Sequence, residues 1–318
     1  MSQYIIRRLL QGIPVILLVS FLIFILINMA PGDPIARLQN PNITQEDLQA
    51  KYEELGLNDP IPVRYARWLG DFVTGDFGYS MDSTRAPVNE LIAERLKPTL
   101  FLTIGAMLLS IILAIPIGII SATRQYSLFD YGATLGAFLG VSIPSFFFGL
   151  VLLFSFSLKL TWFPSGGFTD AMGNNTFFSY LHHATLPIIA LGLARVASMT
   201  RYMRSSMLEV IKEDYIRTAR AKGLKEKVVI YKHALRNALI PVVTLIGLSV
   251  PLLFGGAVII EEVFSYPGMG RLLVRAVWQR NYTVIMGVDV LVAVLVFLGN
   301  LLADFLYVIV DPRIQYDR

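Results

Sequence analysis

Apolar residues collect in six long runs along the chain, at 9–29, 99–122, 132–158, 185–203, 237–260 and 284–310. A helix that crosses a bilayer needs about 20 mostly apolar residues, so these runs predict six membrane-spanning helices. The fourth is the weakest, because Arg195 and Arg201 interrupt it. Between the runs the pattern changes twice. Residues 31–98 set turn signals (Pro31-Gly32-Asp33-Pro34 and Asp59-Pro60-Ile61-Pro62) around amphipathic stretches at 43–56 and 62–73. Thr44 followed by Asp47 gives the first of these a capping-box start, with Asp in place of the usual Glu or Gln. The expectation is a small helical cap rather than a separate domain. In 204–236, Met207, Leu208, Ile211, Tyr215 and Ala219 recur at helical spacing, while Glu209, Lys212, Glu213, Arg217 and Arg220 take other faces. Gly223 breaks that pattern, and a second short helix over 225–235 follows, with Val228, Tyr231 and Leu235. Two short helices joined at a glycine make a projecting elbow.

Composition supports the membrane reading. Of 318 residues, 55% are hydrophobic and 16% charged, and the mean hydropathy is +0.60. Soluble domains carry about 25% charged residues. The chain has no cysteine, which excludes disulfides and thiolate metal sites. Charge then orients the spans, because Lys and Arg accumulate in cytoplasmic loops. Arg7 and Arg8 flank the first run, and Arg201 to Arg236 hold ten Lys/Arg against four Asp/Glu. In 31–98, acidic residues outnumber basic ones. Both termini and the elbow are therefore expected in the cytoplasm and the cap outside. The first run is too long for a signal-peptide core and lacks a clear cleavage site, so it reads as a retained span.

Candidate chemistry is sparse. Segment 261–283 opens with Glu261-Glu262 at the end of the fifth run, turns at Tyr266-Pro267-Gly268, and continues as a short helical patch over 269–280. By pattern alone it is an interfacial helix anchored by Trp278 and Arg280. Ionisable residues inside spans are costly and often functional. Arg195 lies near the middle of the fourth run, where it could meet a substrate carboxylate, pair with an acidic residue of a partner subunit, or snorkel. Asp289 and Asp304 lie near the two ends of the sixth run, positions that suit snorkelling or helix-end satisfaction. Adjacent His182 and His183 point about 100° apart on a helix and chelate poorly, so no metal site is expected. No GxxxxGK[ST] phosphate loop, Gly-x-Ser-x-Gly elbow or His-Glu-x-x-His pair occurs. Nor do midplane carboxylates of the kind an ion-coupled transporter would carry.

The elbow narrows the choice between a lipid-surface helix and a docking element. Glu213-Asp214-Tyr215-Ile216-Arg217-Thr218-Ala219-Arg220-Ala221-Lys222-Gly223-Leu224 resembles the cytoplasmic EAA loop of ABC importer permeases. Arg217 and Thr218 stand where Glu and Ala are usual there. Further matches run along nearly the whole chain: Pro31-Gly32-Asp33-Pro34, Leu55-Gly56-Leu57, Gly75-Asp76-Phe77-Gly78-Tyr79-Ser80, Pro144-Ser145-Phe146, Tyr266 through Leu273, and Asp311-Pro312-Arg313. Together they are similar to the dipeptide/oligopeptide branch, B-type subunit. The resemblance implies an all-α polytopic fold with six transmembrane helices and a small extracytoplasmic cap. It implies a single permease domain, 1–318, with 31–98 as cap insertion and 204–236 as coupling elbow. It implies a transport subunit rather than an enzyme, in the prokaryotic cytoplasmic membrane. The partners implied are a homologous C-type permease, two ATPase subunits that carry ATP and Mg, and an extracytoplasmic peptide-binding protein, with no nucleic acid. Nickel or another small solute is the alternative cargo within the family. By the same resemblance, Glu213, Asp214, Tyr215, Arg217, Ala219, Lys222, Gly223 and Leu224 couple to the ATPase. Glu261, Glu262, Tyr266, Pro267, Gly268 and Arg271 serve binding-protein docking or the outer gate, and Arg195 and Asp289 are candidates for the pathway.

Overall fold

A bilayer leaves no water for backbone groups, so spanning segments must pair every N–H and C=O internally. The apolar runs do this as helices. The computed structural model describes residues 2–29, 58–82, 84–169, 176–254 and 257–310, together with Tyr52. Apart from Tyr52, the 43–56 stretch with Thr44 and Asp47 lies outside the described residues, as do the motif residues at 31–34, 55–57 and 311–313.

In chain order the described elements are α1 (Ser2–Met29), α2 (Ile61–Val73), α3 (Val88–Thr123), α4 (Leu128–Ser142) and α5 (Ser145–Leu152, widening into a π-helix over Leu153–Lys159). They continue with α6 (Phe177–Val210), α7 (Asp214–Ala221), α8 (Glu226–Ala238, π-helical over Val229–Ala234) and α9 (Ile240–Ser249), which runs into a 3₁₀ turn at Pro251–Leu253. Last come α10 (Val258–Val263), α11 (Met269–Trp278) and α12 (Tyr282–Val310). Among the described residues there is no strand, only an isolated bridge between Tyr79 and Pro87.

Among the described residues, four helices are long and apolar enough to cross a membrane: Arg7–Met29, Val88–Thr123, Phe177–Val210 and Tyr282–Ala303. The count reaches six if α4 with α5, and α8 with α9, each form one span. Two of the expected spans are thus broken. The run 132–158 bends by 102° between Ser142 and Ser145. Proline forces the preceding residue out of the helical region, and Ile143 is extended at ψ 122° before Pro144. The run 237–260 is divided as well. Pro241 cannot donate to the preceding turn, and α8 meets α9 at 44°. The fourth run, judged weakest, belongs to a 34-residue helix, α6. At 1.5 Å per residue it is about 50 Å long, well beyond the hydrocarbon core of about 30 Å. Its arginines need not lie at the bilayer centre, and its end reaches the elbow directly.

The chain forms two compact units, residues Met1–Lys97 with Met269–Phe297, and Pro98–Gly268 with Leu298–Arg318. In the first, α2 lays Tyr65, Trp68 and Phe72 against Phe24 of α1. The stack continues from Phe72 to Phe77, with ring centroids 4.6 Å apart. Asn281 fixes the neighbouring loop: its amide donates to Ser80 Oγ (2.6 Å), and its carbonyl accepts from the Met81 N–H (3.1 Å). In the second unit, one apolar cluster joins α3, α5, α6 and α10 through Leu102, Leu152, Ile188 and Ile260. Another joins α3, α6, α7 and α8 through Ile119, Met203, Met207, Ile216 and Val229.

Candidate functional site

The elbow begins where α6 ends. The periodic run 207–219 suggests one continuous helix, but Ile211 to Glu213 turn first, with Glu213 extended at ψ 146° ahead of α7. Alternating faces explain why the pattern reads through the break. Met207 on α6 and Ile216 on α7 are both fully buried, in one cluster with Val229, Ala234 and Ala238 of α8. The helix ends in a Schellman motif: Gly223 N–H donates to Arg220 O (2.9 Å) and Leu224 N–H to Ala219 O (3.4 Å). That geometry needs the left-handed backbone, and Gly223 has φ +76°. Arg220 then bridges the turn to Glu226 with two bonds, 2.7 and 3.2 Å. Further on, Asn237 Nδ2 donates to Tyr215 Oη at 2.7 Å.

This arrangement sorts the expected coupling residues. Glu213, Asp214, Tyr215, Arg217, Lys222, Gly223 and Leu224 are exposed. Ala219 is not: it is 7% exposed and packs into the chain's own core. Its smallness lets α7 lie close to α6 and α8, rather than offering a surface to another protein.

The segment from α10 onward sorts differently again. Glu261, Tyr266 and Gly268 are buried, Pro267 and Arg271 half-buried, and Glu262 exposed. Glu261, Tyr266 and Gly268 shape the loop from within. Thr99 Oγ1 donates to Glu261 Oε1 at 2.9 Å. A Cβ on Gly268 would fall 2.3 Å from Glu261 Cδ, so only glycine lets the loop close over this carboxylate. Tyr266 packs edge-on against Phe168, with centroids 5.6 Å apart, and its hydroxyl has no hydrogen-bond partner among the described residues. Burial, with the Glu261 carboxylate adding to it, pushes that hydroxyl well above the ordinary phenol range. An unsatisfied buried hydroxyl costs about 1–3 kcal/mol. Tyr266→Phe should therefore raise the thermal midpoint of the purified protein; a lowered midpoint would reveal a partner for the hydroxyl.

Arg195 is half-buried in α6, and its guanidinium has no partner among the described residues. The Asp289 carboxylate, half-buried in α12, likewise has none. His182 Nε2 lies 2.9 Å from Trp162 O, whereas His183 Nδ1 lies 2.9 Å from Ser179 O, so the pair points to separate carbonyls.

A contact not anticipated from sequence lies at the root of the elbow. Arg204 of α6 holds Asp130 of α4 with two bonds, Nε to Oδ1 at 2.7 Å and Nη2 to Oδ2 at 2.8 Å. Ser121 of α3 also donates to Asp130. Ser127 and Asp130, three residues apart before an apolar run, carry the signature of a helix start, and Ser127 does cap α4. That signal locates Asp130 on a helix without revealing Arg204, which is 74 residues away.

Comparison with known proteins agrees with this layout. Residues 114–316 match the binding-protein-dependent transport system inner membrane component family. Residues 1–103 match the N-terminal domain described for the same membrane components. The oligopeptide transport system permease protein AppB of Bacillus subtilis is 49% identical over 316 residues, covering 99% of this chain and 100% of the relative. The glutathione transport system permease protein GsiC of Escherichia coli K12 is 40% identical over 316 residues, with the same coverage. With two family matches in register and full-length relatives of this identity, the chain belongs to the family of inner membrane components of binding-protein-dependent transport systems.

Proposed function

We propose that this chain is one of two permease subunits of an ATP-driven importer of short peptides. It forms half of the pathway beside a homologous C-type chain, and two ATPase subunits and an extracytoplasmic peptide-binding protein complete the machine. ATP and Mg belong to the ATPase subunits, and this chain carries out no covalent step. Both termini and the elbow face the cytoplasm, in keeping with the basic residues concentrated at 201–236. Relatives named for oligopeptide and glutathione transport support a peptide cargo. Arg195 is a candidate to attract a peptide carboxylate, and Asp289 is a second pathway candidate.

One observation carries the coupling role. The elbow has two faces, one fused with the core of α3 and α6 and one free. Ile216 is fully buried in that core, while the side chains of Asp214 and Arg217 stand 94% and 73% exposed away from it. A stiff element with a fixed inner face and an open outer face converts a push by an ATPase subunit into displacement of α6. At the outer end, the loop that closes over Glu261 presents Glu262 as its exposed carboxylate for binding-protein contact.

The chain has no cysteine, which makes the test clean. Arg217→Cys and Lys222→Cys, each in the assembled transporter, should cross-link to an ATPase subunit, while Trp278→Cys should not. Reaction of Arg217→Cys and Lys222→Cys with lipid-borne reagents, and with no ATPase subunit, would favour a membrane-surface role instead.

A further inference from the structure

Asp130 is held more completely than simple stability requires. Its side chain is 3% exposed and that of Arg204 27%. The carboxylate accepts from Arg204 Nε and Nη2, from the Ser121 hydroxyl, and from the Tyr126 N–H at 3.0 Å. Arg204 Nε also lies 3.1 Å from Ser121 Oγ. To offer its N–H, Tyr126 adopts a left-handed backbone, φ +63°, which a side chain disfavours. Strain of that kind persists only where the surroundings impose it. A buried ion pair is also poor evidence of stabilisation, since apolar replacements often do as well. What it does fix is register: three helices must meet at one point.

The site of that meeting is informative. Arg204 lies six residues before the end of α6 at Val210, about 9 Å along the axis. Above the clamp the helices approach closely. A Cβ on Gly118 of α3 would lie 2.6 Å from Met203 Cβ, and one on Gly140 of α4 would lie 2.9 Å from Ala197 Cβ of α6. Apolar surfaces can slide, because van der Waals contact is non-directional. A two-bond guanidinium–carboxylate fork cannot, and a slip of one helical turn would carry the charges about 5.4 Å apart.

We propose that Arg204, Asp130 and Ser121 form a positioning clamp that carries displacement of the elbow into α3 and α4, so that the three helices move as one body during transport. The proposal rests on the coupling role assigned above to 213–224. The clamp residues touch neither substrate nor nucleotide; they act through the helices they join.

The test uses the complete transporter in liposomes, with its ATPase subunits and binding protein, and reads peptide taken up per ATP hydrolysed at matched amounts of assembled complex. Asp130→Asn and Arg204→Lys should leave hydrolysis near its normal rate and lower that ratio at least about fivefold. Lysine keeps the charge but loses the fork. Ser121→Ala, which spares the ion pair, should fall between them and the unmodified protein, and it decides the matter if Asp130→Asn fails to assemble. An unchanged ratio overturns the proposal, as does a loss of uptake that merely tracks the loss of assembled complex. Cross-linking at Arg217→Cys separates this from failure of the coupling role. With cross-linking intact and the ratio unchanged, the clamp alone is refuted; without cross-linking, the coupling role itself falls.

Discussion

Gly223→Val should assemble into the transporter yet lose at least about tenfold in peptide uptake per ATP hydrolysed. Gly223 sits at φ +76°, where a residue with a Cβ costs roughly 1–2 kcal/mol and a β-branched one more. The left-handed turn allows the two Schellman bonds and the Arg220–Glu226 bridge to form together. If it is lost, α7 and α8 no longer leave the bend at a fixed angle. Among the described residues, nothing beyond its two chain neighbours lies within 4 Å of a Cβ built there, so the effect comes from the backbone and not from crowding. That separates two causes. Asn tolerates the left-handed region, so Gly223→Asn should keep most of the coupling if turn geometry is what matters. If Gly223→Asn is as impaired as Gly223→Val, close approach of the ATPase subunit is the requirement. Gly223→Trp extends the series to the largest side chain. Full uptake per ATP by both the Val and Trp variants would remove Gly223 from the coupling mechanism.

Gly268→Ala is expected to be the most damaging single methyl in the segment that follows α10. The added carbon would lie 2.3 Å from Glu261 Cδ and Oε1 and 2.5 Å from Oε2. Glu261 cannot retreat, because it is fully buried and accepts from Thr99 Oγ1 at 2.9 Å. Overpacking costs about 1–3 kcal/mol, and pulling a buried carboxylate from its donors adds to it. Little folded protein should survive detergent extraction, as read by size-exclusion profile. The clash also predicts a specific non-additivity. Glu261→Ala leaves Thr99 without this acceptor and opens a void, yet it makes room for the new methyl. The double variant should therefore be milder than the sum of the two single penalties, by the logic of a mutant cycle. Simple additivity would show that Gly268 and Glu261 do not meet.

These expectations mark where sequence reading succeeded and where it stopped. Gly223 was legible because a glycine that ends a helical pattern has few conformational reasons to be there. Glu261, Tyr266 and Gly268 were legible as a group for docking or an outer gate, but their burial was not. Consecutive positions in a turn carry no periodicity, so nothing in the string distinguishes a buried carboxylate from an exposed one. Ala219 was placed on the coupling surface for a related reason: at this spacing a small residue suits either a close-packed inner face or an outer one, and the buried neighbour Ile216 decides between them.

By itself, the amino-acid sequence determined the membrane class, the helical content, the location of the elbow and the bend at Gly223. Each depends on local chemistry: runs of apolar side chains, the clustering of basic residues and the backbone freedom of glycine. Tertiary structure decided the rest. Pro144 stands in the sequence within the apolar run 132–158, but the 102° break there depends on what α4 and α5 pack against. The length of α6 hid behind arginines that penalise a span, because a helix longer than the hydrocarbon core can carry them beyond it. The Arg204–Asp130 contact joins residues 74 positions apart, and a pairing of that separation is created only when helices fold together.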